Sequence, residues 1–106
     1  MHIEISTNGF DLTEPIADHV RARVEHTLTH QADRLTRVEA HLAENAAHKS
    51  SPDDKRCTLE ARPKGLDPVA VTFEHANLYD AVNGAADKLK RALETRFGKL
   101  DHASHH

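Results

Sequence analysis

Two stretches of this chain space their apolar residues for a helix and four others alternate apolar with polar, and the order of these stretches constrains the fold more than any other sequence feature. HIEIS sets Ile3 and Ile5 on one side and His2, Glu4 and Ser6 on the other, the pattern of a half-buried strand. A turn signal at Asn8-Gly9 ends it. Thr13 is placed to cap a helix with Glu14 and Pro15 in its first turn. Ile16, Val20, Val24 and Leu28 then form one apolar stripe, predicting a helix over about residues 14–30. TRVEAHLAEN returns to alternation, with Val38, Ala40 and Leu42 inward, and loop chemistry follows in Ser50, Ser51, Pro52, Asp53 and Asp54. KRCTLEARP turns Cys57, Leu59 and Ala61 to one face; after a KGLDP turn, VAVTFEH does the same with Val69, Val71 and Phe73. Finally Asn77 precedes a long helical run through Leu78, Val82, Ala85, Leu89 and Leu93, with Gly98 as the expected stop. The Asn83-Gly84 pair is a hairpin signal in other contexts. Its flanks have helical periodicity, so the helix is kept, and close packing against a sheet is a reason for a glycine there.

The order is therefore β-α-β-β-β-α. Every strand has one apolar and one polar face, so a four-stranded sheet buries one side under both helices and leaves the other wet. The predicted class is α+β, a single domain over residues 1–100 with a disordered polar tail at 101–106. A length of 106 residues excludes a multidomain enzyme or a repeat array. The lone cysteine, Cys57, excludes a disulfide scaffold and fits a reducing compartment. The N-terminal residues lack a signal-peptide pattern and no run approaches the ~18 apolar residues of a membrane span, so a cytoplasmic location is expected.

Charge narrows the function. The formal net charge is −3, so any nucleic-acid role must rest on a local patch. Such a patch exists on the second helix: at about 100° per residue from Leu89, Lys88 falls near −100°, Arg91 near −160° and Lys99 near −80°. A phosphate backbone could lie along that flank, although Asp87 and Arg91 are also spaced as an ordinary i,i+4 ion pair. On the first helix His19, Arg23, His26 and His30 share a flank. His26 and His30 have the spacing of a helical metal pair, but no third ligand is evident and HTLTH is not a zincin motif. With ten histidines, full protonation would carry the formal charge from −3 to +7, so this flank also reads as a polyanion surface that strengthens at lower pH. Cys57 reads as a small buried hydrophobe. His41, Glu39 and Glu60 fall on the open sheet face as a surface group. No nucleophile elbow, phosphate-binding glycine loop or CxxC motif is present.

LTEPIADHVRARVEH and NLYDAVNGAADKLKRAL resemble the two helices of the ribosome hibernation promoting factors, also called ribosome-associated inhibitors, ribosomal subunit interface proteins or sigma-54 modulation proteins. The resemblance covers about residues 1–100. It implies a fold similar to double-stranded-RNA-binding domains, and binding to the small ribosomal subunit where messenger and transfer RNA would sit, holding ribosomes idle in stress or stationary phase. Carried over, the rRNA-contacting positions are Arg23, Lys88, Arg91 and Lys99, with Arg21, His26 and Arg96 in reserve. His26, Thr29 and Thr95 stand where members tend to have lysine, which lowers the number of phosphates neutralised at neutral pH. The chain resembles a short form, one that would need another factor for ribosome pairing.

The leading expectation is thus a non-catalytic protein that blocks translation by occupying 16S rRNA in the decoding region, with no cofactor, no metal, no small-molecule substrate and no membrane partner. Two rivals stand beside it. A small protein-interaction module would make the stripe a merely soluble face, and a histidine-dependent metal binder would use His26 and His30.

Overall fold

In the computed structural model, residues 1–44 and 54–103 are described. The loop chemistry read at Ser50–Asp53 and the last residues of the expected tail lie outside the described residues. The chain runs β1 (His2–Asn8), α1 (Glu14–Thr27), a single 3-10 turn (Ala32–Arg34), β2 (Leu35–Glu44), β3 (Lys55–Pro63), β4 (Val69–His75) and α2 (Leu78–Ala103). This is the expected α+β order, with the 3-10 turn added.

The sheet order is β1-β2-β3-β4, with β1 parallel to β2 and the other pairs antiparallel. The register lines up apolar rows: Ile3, Val38, Ala61 and Val69 abreast, then Ile5, Ala40, Leu59 and Val71, then Thr7, Leu42, Cys57 and Phe73. Because side chains alternate with period two, these rows share one face. Val20, Val24 and Leu28 of α1 and Val82, Ala85, Leu89, Leu93 and Phe97 of α2 form one buried core with Ile3, Val38, Ala40, Leu42, Cys57, Leu59, Ala61 and Val69, whereas Ile5 and Val71 are partly buried and Phe73, expected inward, stays exposed at the end of its row.

Both helix starts follow their capping residues. Thr13 is extended and its Oγ1 accepts from the Ile16 N–H at 3.4 Å; Asn77 Oδ1 accepts from the Tyr79 and Asp80 N–H groups at 2.9 and 3.3 Å. Both helix ends differ from expectation. α1 stops at Thr27 rather than near residue 30: Leu28 caps it, and the Thr29 hydroxyl donates to the Glu25 and His26 carbonyls that further helix would have used. α2 continues through Gly98 to Ala103, so the start of the expected tail is helical. Arg34 anchors this extension, its guanidinium 4.0 Å from the Phe97 ring centroid and its Nη1 donating to Asp101 at 3.2 Å. Gly84 sits within α2 against the sheet, where an added Cβ would overlap the Phe73 ring.

The open sheet face is polar and internally neutralised. Glu4, Glu39 and Glu60 lie abreast, a like-charge row that is unfavourable by itself. Arg37 and Arg62 in the next row offset it: Arg62 reaches Glu39 at 3.0 Å and Glu60 at 2.8 Å, and Arg37 reaches Glu39 at 3.7 Å. Burial raises the Glu39 pKa, but Arg37 and Arg62 outweigh it and hold the carboxyl below its ordinary value.

Candidate nucleic-acid interface

α1 and α2 run side by side in the same direction, as two cross-helix contacts a helical turn apart establish. His19 Nε2 meets Asn83 Oδ1 at 2.8 Å, and one turn later Arg23 Nη2 donates to both oxygens of Asp87 at 3.3 and 3.4 Å, each pair 64 residues apart. The Tyr79 ring sits edge-on to His19, centroids 4.9 Å apart. Constant offset means parallel axes in register.

Beyond the Arg23–Asp87 pair the helices leave an open groove of about 520 Å³, lined by Arg23, His26, Thr29, His30, Asp87 and Lys90. Of the residues expected to contact RNA, Arg23 and His26 are brought together here. Arg23 is half-buried, and His26 is exposed in the last turn of α1. Lys90 belongs to the same surface, yet the stripe drawn from Lys88 missed it. At about 100° per residue it falls near +100° from Leu89, on the opposite flank of α2 from Lys88. The clue was its position one turn after Asp87, which itself lies opposite Arg23.

The other expected residues take the far flank of α2 or the outer side of α1. Lys88 Nζ donates to the Thr72 carbonyl of β4 at 3.0 Å, which covers part of an exposed sheet edge. Arg96 Nη1 donates to the Asp67 carbonyl in the β3–β4 turn at 3.2 Å. Arg91 and Lys99 are exposed on α2 and Arg21 on α1, and none has an ion-pair partner among the described residues. The i,i+4 pairing of Asp87 with Arg91 does not form, because Asp87 is engaged by Arg23 across the groove. Between Lys88 and Lys99 the helix carries Lys88, Lys90, Arg91, Arg96 and Lys99 against one carboxylate, Glu94. A chain that is acidic as a whole thus concentrates cations on the second half of one helix, while the open-face arginines Arg37 and Arg62 are occupied by glutamates.

The alternative chemistries find little support in the geometry. Among the described residues no three His, Cys, Asp or Glu side chains are grouped to hold a metal. Cys57 is buried, and burial pushes its thiol up to about 12, where it is no nucleophile. Ser6 Oγ and His41 Nδ1 lie 2.6 Å apart on the wet sheet face, a hydrogen bond between exposed groups. Among the described residues no helix is long and apolar enough to cross a membrane.

A β-α-β-β-β-α sheet with two parallel helices on one face and cations gathered along them defines a small α+β domain with a basic helical surface. Residues 3–101 match the family model described as Sigma 54 modulation protein / S30EA ribosomal protein, and the chain belongs to that family, as the resemblance of its helices to the hibernation promoting factors implied. Among solved structures it is similar to a ribosomal subunit interface protein from Coxiella burnetii, with a TM-score of 0.79 at 16% identity over 92% of this chain and 99% of that one. It is also similar to the N-terminal domain of Protein Y from Thermus thermophilus, with a TM-score of 0.72 at 24% identity over 92% of this chain and 99% of that one. At these identities the two structures attest the fold. No curated protein sequence matches the chain.

Proposed function

We propose that the protein binds the small ribosomal subunit in its decoding region through rRNA phosphates, and inhibits translation by occupying the place of messenger and transfer RNA. The observation that carries this reading is the excess of cations over residues 88–99, with Asp87 held by Arg23 rather than paired with Arg91. Membership of a family described as a ribosomal protein, and the likeness to a protein titled a ribosomal subunit interface protein, point to the same partner. No covalent step is needed: phosphate contacts position the protein, the fit to folded RNA supplies selectivity, and occupancy does the work. Arg91, Lys99 and Arg21 meet phosphates directly. Lys88 and Arg96 give up single hydrogen bonds to exposed carbonyls to do so, a small cost for a charged group exchanging one acceptor for an anion. In this reading the protein acts in the cytoplasm under stress or in stationary phase.

Co-sedimentation with small subunits at two salt concentrations tests the proposal. The Lys88→Gln/Arg91→Gln variant should bind more weakly and lose about two units of the log–log salt slope, about one per phosphate contact. Unchanged co-sedimentation of that variant overturns the assignment.

A further inference from the structure

The groove between α1 and α2 contains more cationic capacity than Arg23 alone expresses. Three of its lining side chains, His26, His30 and Lys90, have no ion-pair partner among the described residues, and its one carboxylate, Asp87, is already spanned by Arg23. The buried Arg23 Nε has no acceptor among the described residues. The groove is thus open to an approaching anion and lined largely by donors. We propose that it is a seat for an RNA phosphodiester whose grip is set by protonation of His26 and His30, so that the protein holds RNA more tightly as pH falls from about 7.5 to 6.

This rests on the nucleic-acid reading above and specifies its regulation. The charged groups facing the two imidazoles are Arg23 on α1 and Asp87 and Lys90 on α2; Glu25 adjoins His26 on α1, and Glu94 follows Lys90 by one turn. With both imidazoles neutral, the lining carries one net positive charge from Arg23, Lys90 and Asp87, and with both protonated it carries three. An added phosphate needs both charges, because Asp87 cancels most of what Arg23 offers.

The test is the affinity of the full chain for purified small ribosomal subunits at pH 7.5 and 6.0, at matched ionic strength near 0.15 M. One further neutralised phosphate predicts binding about 5-fold tighter at pH 6.0, with a salt slope steeper by about 0.9 units. His26→Gln/His30→Gln should remove the pH dependence. His26→Arg/His30→Arg should bind tightly at both pH values. Wild-type binding that is equal at the two pH values overturns this inference and leaves the proposed function standing. A glutamine variant that still tightens as much as wild type overturns it as well, by placing the pH response on other histidines. Failure to bind at either pH overturns both.

Discussion

Arg23 donates to both carboxylate oxygens of Asp87 across the helix pair, at 3.3 and 3.4 Å, and so sets two cations of the interface at once. This pairing engages Arg23 and withholds Asp87 from Arg91. Asp87 therefore acts as a built-in competitor for whatever anion approaches the groove. Asp87→Asn removes the competitor and keeps the shape. The expected outcome is several-fold tighter binding to small subunits with a steeper salt dependence. The loss in stability should stay below about 1 kcal/mol, since both partners are substantially exposed to water. Sedimentation binding and a urea melt on the same preparation check both halves.

Gly84 carries a second prediction. Within a helix, Gly→Ala gains about 1 kcal/mol, yet an added Cβ here overlaps the Phe73 ring. Overpacking of this kind costs about 1–3 kcal/mol. Gly84→Ala should accordingly destabilise the protein by about 1 kcal/mol, whereas in a Phe73→Ala background the same change should stabilise it by about as much. A double-mutant cycle by urea denaturation measures the sign reversal, and stabilisation in the wild-type background would show that the ring moves aside freely.

These two sites show what the sequence makes legible. Period-two and helical patterns were enough for the sheet, its buried face and the two helices, because burial of Val20, Val24 and Leu89 leaves few alternatives. Gly84 could be expected to face something close, but not that the something is Phe73, since strand register is a pairing property and not a local one. Helix ends are set by hydrogen bonds that apolar periodicity does not weigh: Thr29 takes the last carbonyls of α1 locally, and Arg34 from before β2 carries α2 past Gly98. The cations of α2 were visible one by one. Their division into a groove side with Lys90 and a β4 side with Lys88 depends on where α1 lies, which no wheel of α2 contains.

On the open face, the Glu39 carboxyl is held below its ordinary 4.5 by the net effect of burial, which opposes ionisation, and of Arg37 and Arg62, which prevail. A carboxylate with a depressed folded-state pKa stabilises the fold above its unfolded value, and that contribution is lost as pH falls through the folded value. Stability should therefore decline on acidification below about pH 4.5. Glu39→Gln should be less stable than wild type at pH 7 and approach it at pH 3. Urea midpoints at pH 7, 5 and 3 decide this; a constant gap between the two proteins across that range would place the effect of the substitution outside ionisation.

Arg34 joins the start of β2 to the far end of α2, stacking on Phe97 and reaching Asp101. The Arg34 guanidinium itself is exposed, and at such sites a cation–π contact contributes about 0.5–1 kcal/mol and an ion pair less. Gly98 lies within the helix where these contacts hold it, and a helical glycine is unfavourable by about 1 kcal/mol relative to alanine. The two effects nearly balance, so α2 beyond residue 97 should persist only while Arg34 is in place. Arg34→Ala should lower global stability by about 1 kcal/mol and speed amide exchange at residues 99–103 far more than at 85–93. Arg34→Lys keeps the charge but loses the planar stack, and should restore only part of the protection. Hydrogen exchange followed by NMR separates local fraying from global loss, and equal acceleration at both ends of α2 would count against a local clamp.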